Sequence, residues 1–432
     1  MDMQRLWAGA ALLLAAALGI APAIAFADEK AADETLADGY ALGRVLDQIE
    51  VSAQLAFEPR FFPSGPRYAD QFEGIQLSGF LKPELFWENE ARDKQVSFVP
   101  FFRLDTQDDE RTHGDIREAY FRGIVDDWEY LIGLNQVFWG VTESRHLVNI
   151  INQIDGLEDV NEEDFLGQPM INVARQTDIG RFDFFLMTGF RERTFPGPDG
   201  RLRGPLPVNT DRVQYESDLE EWRPDIALRY SHFIGDIDLG LHLFHGTGRE
   251  PDLVLSADGQ TVLPRYTVIT QAGIDLQYTR DEWLWKFEGL VREGQGSTFL
   301  AAVAGFEYTW FQALDSDADL GFLAEILYDG RDEDTLIPGN RSGAVQASVF
   351  DKDLFFGSRL TLNDIQDTAI LGGMVVDLED GPAALRLEAE RRLGDTWKIE
   401  LIGQAYLEDD PANPASVLDR DHFVTLRLSK FF

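Results

Sequence analysis

The sequence predicts an all-β fold, a transmembrane antiparallel up-and-down β-barrel of about 18 strands, with about 16 as the alternative count. Three observations carry this. Segment after segment alternates apolar and polar residues with period two, the connections between segments are alternately short and long, and aromatic residues gather beside the short ones. Successive side chains of a strand point to opposite faces, so strict alternation gives each strand one oily and one polar side. Where the oily side meets hydrocarbon, backbone N–H and C=O groups are all satisfied only if the sheet closes on itself.

The elements follow in order. Residues 1–27 read as a signal peptide: Arg5 supplies a basic head, residues 6–25 an apolar run rich in Ala and Leu, and Ala23-Ile24-Ala25 or Ala25-Phe26-Ala27 a small-residue cleavage site. Residues 28–50 are an N-terminal periplasmic or plug segment, with Leu42, Val45, Leu46 and Ile49 at helical spacing. Residues 51–432 are the barrel. Its strands begin near Val51, Ile75, Val96, Asp115, Trp128, Ile171, Phe182, Asp225, Asp236, Arg265, Trp283, Phe299, Asp319, Leu354, Ala369, Ala384, Thr396 and Asp421.

The clearest hairpin sets Tyr266, Val268, Thr270, Ala272, Ile274, Leu276 and Tyr278 on one face against Gln271, Asp275 and Gln277 on the other. After a turn at 279–282, Trp283, Trp285, Phe287 and Val291 oppose Lys286, Glu288 and Arg292. Tight turns such as Asp126-Asp127 and Asp178-Ile179-Gly180 alternate with long stretches such as 139–170 and 191–222. With both chain ends in the periplasm, the tight turns are periplasmic and the long loops external. A soluble β-sandwich has no reason to sort its loops in this way. Trp128, Tyr130, Tyr278, Trp283, Trp285, Trp310 and Trp397 all lie close to tight turns, where a membrane-interface girdle belongs. In a soluble core they would gather in mid-strand.

The chain ends on His422-Phe423-Val424-Thr425-Leu426-Arg427-Leu428-Ser429-Lys430-Phe431-Phe432, with Val424, Leu426, Leu428 and Phe432 on one face. This resembles the C-terminal signature by which bacterial barrel assembly machinery recognises its clients, with Phe432 as the assembly signal. Lys430 stands where that family usually places an apolar or aromatic residue. A second likeness is local: Gly133, Gln136 and then Trp139-Gly140 resemble a pattern found in a group of porin-like outer-membrane proteins, which carry Arg where Asn135 stands here. The resemblance implies a location in the outer membrane of a Gram-negative bacterium after signal-peptide cleavage. It also implies outer-membrane lipid, lipopolysaccharide and the barrel assembly machinery as partners.

Alternation puts Arg103, Arg122, Arg229, Lys286, Glu288, Arg292, Arg359, Arg386, Glu388, Glu390, Arg392, Lys398 and Glu400 on the inward, pore-lining face. The row Arg386, Glu388, Glu390 and Arg392 faces Lys398 and Glu400 on the next strand, so opposite charges can pair across the sheet. It reads either as a salt-bridged filling of a narrow lumen or as a constriction that selects polar or charged solutes. The chain holds 76 acidic against 38 basic residues, a formal charge of −38. The excess sits in loops, at Asp108-Asp109-Glu110, Glu158-Asp159, Glu162-Glu163-Asp164, Glu220-Glu221, Asp332-Glu333-Asp334 and Glu408-Asp409-Asp410. These runs are solvated faces, or they gather cations at the mouth, or divalent ions bridge them to lipopolysaccharide. After Trp139, the spacing of Leu147, Val148, Ile150, Ile151 and Ile154 predicts a helix, folded into the pore or packed over its rim.

Other chemistry is poorly represented. The chain has no cysteine, which removes disulfides and thiol chemistry. Its charge argues against nucleic acid as a partner, and no motif for a cofactor or a specific metal site is found. His242, with Asp238 on the same inward face, is the best catalytic pair on offer, and no nucleophile elbow or zinc motif accompanies it. An enzyme is therefore not expected. The leading expectation is a porin-like channel passing small polar or charged solutes through a mixed-charge lumen. An export conduit for a polysaccharide or other polymer, and a structural or adhesive outer-membrane protein with acidic surface loops, stand as alternatives. Oligomeric state is not legible.

Overall fold

A computed structural model describes residues 48–331, 344–345, 352–378, 381–407 and 414–432. The leader, nearly all of the 28–50 segment and the acidic runs at 332–334 and 408–410 lie outside the described residues. Eighteen strands form one sheet. They are β1 Ile49–Phe61, β2 Ile75–Glu88, β3 Lys94–Asp105, β4 His113–Val125, β5 Trp128–Asn135, β6 Gln168–Thr177, β7 Gly180–Met187, β8 Asp225–Ile234 and β9 Ile237–Thr247. The ring continues with β10 Val268–Arg280, β11 Trp283–Gly294, β12 Gly296–Trp310, β13 Asp319–Asp329, β14 Lys352–Thr361, β15 Ala369–Asp377, β16 Gly381–Leu393, β17 Trp397–Tyr406 and β18 Phe423–Phe431. Each strand pairs antiparallel with its sequence neighbours, and β1 pairs with both β2 and β18. The ring is closed, and no edge is left unpaired.

The two faces separate as hydrocarbon and water require. Ile132, Leu243, Leu300, Ile326 and Leu426 are exposed on the outside, while Gln271, Glu288, Thr425 and Ser429 are buried within. At the tight-turn end, Trp128 stacks on Tyr130 at 6.5 Å and Trp283 on Trp285 at 5.6 Å, with Tyr278 on the strand partnering Trp285. Trp310 and Trp397 are also partly exposed beside tight turns. Lys430 lies on this outer face, with its ammonium 5.3 Å from the Trp397 ring and 5.6 Å from that of Phe432. Its stem covers apolar surface while the charge reaches the interface, which accommodates a lysine within the closing signature. The Phe432 N–H donates to the Ala53 carbonyl at 3.0 Å, tying the last residue to β1.

Three expectations are corrected. Alternation ran the strand ahead of β10 through Tyr266 and put that ring on the lipid side. Tyr266 instead ends a loop strand, Val262–Tyr266, in a separate small sheet with Gln214–Tyr215, Asp252–Leu255 and Ala344–Val345. It is buried, its hydroxyl accepts the Arg193 N–H at 2.9 Å, and its ring packs on Phe190 and Tyr215. Two collinear β segments share one period, so the pattern carries no mark where the wall ends. The helix expected around Leu147–Ile154 is likewise not formed; the segment is an irregular inward loop. Ile49 and Glu50, read as part of the N-terminal segment, belong to β1.

One local irregularity positions the site. β5 has only 8 residues, against 13 in β4, and their pairing stops at Ala119 opposite Leu134. Above that point the first half of β4 faces the loop 136–167 instead of a strand, and the loop turns into the lumen.

Candidate functional site

The loop 136–167 enters the barrel on the residues of the Gly-Gln-Trp-Gly pattern. Gly133 has φ +134° and sits so close to β4 that a Cβ would lie 2.1 Å from the Ala119 carbonyl oxygen, so only glycine fits. Gln136 donates to the Phe165 carbonyl, closing the neck of the loop. The Trp139 ring lies under the Arg229 guanidinium at 4.6 Å and beside His242 at 5.2 Å. A Cβ on Gly140 would stand 2.5 Å from His146 Nδ1.

Asparagine side chains hold the loop's shape. Asn149 Oδ1 accepts from the N–H groups of Trp139 and Gly140 at 2.7 and 3.1 Å. Asn152 accepts from Val137 at 2.8 Å and donates to the carbonyls of Asn135 and Leu166 at 2.8 and 2.9 Å. Such side-chain bonds compete with helical ones. The apolar residues serve two walls, which no helical stripe does: Val148, Ile150 and Ile151 pack with Leu131, Phe185, Ala227 and Phe244, whereas Leu147 packs with Leu290, Phe299 and Phe355. Each side chain so buried contributes roughly 1.5–3 kcal/mol.

Opposite the neck, two wall carboxylates receive the loop's backbone. Glu288 on β11 accepts the N–H groups of Val141, Thr142 and Val148 at 2.6, 3.0 and 3.1 Å, and the Thr142 hydroxyl at 2.7 Å. Glu325 on β13 accepts from Glu143 and Ser144 N–H at 2.8 Å each, and from the Ser144 hydroxyl at 2.6 Å. His146 reaches Glu163 at 3.4 Å and Glu288 at 3.9 Å. Burial opposes its charge, but the hydrogen bonds to Glu163 and Glu288 prevail and push its pKa up to about 9.

The residues read as pore-lining fall into three zones. Beneath the loop, Arg103 meets Glu158 and, at 3.2 Å, Glu58; Arg229 forks onto Asp275 at 2.8 Å; Lys286 lies 3.7 Å from Glu143; and Arg292 bonds Gln271 at 2.8 Å. With Glu288 they are covered groups that seat the loop. At its far edge stand Arg359, 2.8 Å from Glu143, and Arg386, which pairs with Asp159 at 2.8 Å and with Glu388 at 2.6 Å. Toward the tight turns, Arg122 pairs with Glu129 at 2.8 Å, Lys398 with Glu390 and Glu400 at 2.7 and 3.1 Å, and Arg392 with Asp367 at 3.2 Å. The pairing partners Glu58, Glu158, Asp159 and Glu143 were not legible as such, because three of them are brought in by the loop's path.

Between the loop and the wall of β14–β17 remains a cavity of about 390 Å3. Leu147, Ile150, Phe355, Leu371 and Val375 give it an apolar lining, and Arg386, Glu388 and Tyr406 stand on its wall. Among the described residues one His–carboxylate group has metal-like proximity, His113 with Asp155 and Glu158. His113 Nε2 lies 3.6 and 3.7 Å from them, but Arg117 already holds Asp155 at 2.6 Å and Arg103 holds Glu158. Burial works against the Asp155 charge, and His113 and Arg117 keep its carboxyl well below the usual range. His242 is bonded to Gln271 at 3.0 Å and packed on Trp139, so the pairing with Asp238 is not made.

No family model matches the chain, and no curated protein matches it. Among solved structures it is similar to a BenF-like porin from Pseudomonas fluorescens Pf-5, with 8% identity and a TM-score of 0.49, over 89% of this chain and 98% of that one. It is similar to OccD3 of Pseudomonas aeruginosa at 10% identity and a TM-score of 0.48, over 88% and 90% of the two chains. A third likeness is to Wzi of Escherichia coli, described as a carbohydrate-binding β-barrel involved in group 1 capsule assembly, at 10% identity and a TM-score of 0.48 over 95% and 91%. The fold assignment rests on the strand pairing itself, which closes a transmembrane-type barrel.

Proposed function

We propose that the chain is a porin-like outer-membrane channel for small polar or charged solutes, with the path running between the loop 136–167 and the wall of β14–β17. The observation that carries this is the cavity of about 390 Å3 left on that side, continuous with a charged wall, while the other side is filled by the loop. The reading includes assembly through the β18 terminus at Phe432 and residence among outer-membrane lipid and lipopolysaccharide. Refolded protein in a planar bilayer tests it. Stable conducting steps are expected, and a barrel that stays shut at every voltage overturns it.

A second reading is a shut barrel that acts through its surface. The loop's contacts to β3, β4, β11, β13, β14 and β16 favour it, and the same recording decides between the two.

A further inference from the structure

We infer that this cavity, on the channel reading above, takes small organic cations that carry an apolar body. Its size falls within the range of small-molecule sites, about 300–1,000 Å3. The apolar part of the lining, Leu147, Ile150, Phe355, Leu371 and Val375, offers a surface for a hydrocarbon or aromatic body.

The charged part of the lining is not symmetrical. Five carboxylates and five guanidiniums border the cavity, equal in number. They differ in what they present. The carboxylate side chains range from 21% exposed at Glu143 to 52% at Glu163, with Glu162 at 41% and Glu388 at 39%. The guanidiniums range from 3% exposed at Arg249 to 21% at Arg386, so the most exposed cation matches the least exposed acid. His146, the remaining cation, is 12% exposed and lies against Glu163. Arg249 pairs with buried Asp225 at 3.0 Å and Arg386 with buried Asp159 at 2.8 Å, while Arg386 also bonds the cavity's Glu388 at 2.6 Å, Arg193 bonds Glu162 at 2.7 Å, and Arg292 and Arg145 lie 3.4 and 3.7 Å from Glu250. In the pairs made by Glu388, Glu162 and Glu250 the acid is the more exposed partner, so a solute in the cavity meets more carboxylate and methyl surface than guanidinium N–H.

A second observation points the same way. Tyr406 lines the cavity, is 9% exposed, and its hydroxyl has no hydrogen-bond partner among the described residues. A buried unpaired hydroxyl costs about 1–3 kcal/mol, and a phenol oxygen has lone pairs to offer an N–H donor. An ammonium held by Glu388 and Glu163, with its apolar body on Phe355 and Leu371, uses every part of this lining.

The test uses the refolded full chain in a planar bilayer, with benzylammonium and benzoate as probes of similar shape and opposite charge. The expected result is a cation-selective reversal potential in a potassium chloride gradient and current block by benzylammonium at concentrations where benzoate has no effect. Glu388→Gln combined with Glu163→Gln is expected to weaken that block about tenfold, equivalent to about 1.4 kcal/mol. Equal block by both probes, or stronger block by benzoate, overturns the inference and leaves the channel reading intact. Absence of any conducting step overturns both. The two-probe comparison on the unsubstituted chain stands even if the double variant fails to assemble.

Discussion

Against β11 and β13 the loop 136–167 surrenders five backbone N–H groups to Glu288 and Glu325, whereas toward β14–β17 it faces a cavity bordered by part-exposed acids. Glu288, Glu325 and Glu388 all project inward from strands, while the cavity's other acids, Glu143, Glu162, Glu163 and Glu250, come from loops. On the first side each carboxylate is consumed by donors, so it works as a wall. On the second, the acids are paired with Arg or His side chains yet remain 21% to 52% exposed, within reach of water or solute, so they work as a path. A lumenal charge is structural or functional according to whether the protein's own donors bury it, as at Glu288 and Glu325, or leave it exposed, as at Glu388.

The strongest way to break this contrast is to convert the filled side into an open one. Glu288→Ala with Glu325→Ala strips acceptors from those five N–H groups, at about 1–3 kcal/mol for each left buried and unpaired. The loop should detach, and single-channel conductance should rise severalfold; unchanged conductance would show that the loop is held elsewhere. Gly140→Ala should act less strongly, because its Cβ would fall 2.5 Å from His146 Nδ1 and one of the two must move. Subconductance flicker is its expected signature in the same recordings.

Alkaline pH should loosen the filled side reversibly. His146 has its pKa raised from 6.5 to about 9 by Glu163 and Glu288 against the effect of burial. A raised histidine stabilises fully below about pH 6.5, and that contribution is lost as pH climbs through about 9. Current noise should therefore grow above pH 9, and His146→Gln should remove the pH step by making the noise constant. The smallest effect belongs to the open wall near the tight turns. Glu390 is paired with Lys398 at 2.7 Å and well exposed, so Glu390→Gln should shift the reversal potential slightly and leave conductance and stability nearly unchanged.

Much of the barrel was legible because alternation is local: whether Val268 or Leu426 faces lipid depends only on its place in a strand. The departures arise where that locality fails. Tyr266 continues the period of β10 while belonging to another sheet, and Leu147 and Ile151 share a helical spacing while packing on different walls. The inward position of Glu288 was readable, but its role was not, since the donors it serves lie about 140 residues earlier in the chain. The end of β5 at Asn135, which lets the loop turn inward, was not legible, since the pattern reads as a strand through Val137. Arg386, Glu390, Lys398 and Glu400 form pairs along their own strands and across the sheet, as neighbours on one face do. Exposure, the property that separates path from wall, has no sequence signature.

Because the chain has no cysteine, single cysteines placed on the two sides test the central claim without background. Leu371→Cys and Val375→Cys line the cavity, whereas Ala301→Cys and Val303→Cys lie buried on β12 beneath the filled side. A charged, water-soluble thiol reagent is expected to modify the first pair quickly and to reduce the current, and to leave the second pair untouched. Rapid modification and block at Ala301→Cys or Val303→Cys, with Leu371→Cys and Val375→Cys inert, would contradict the account.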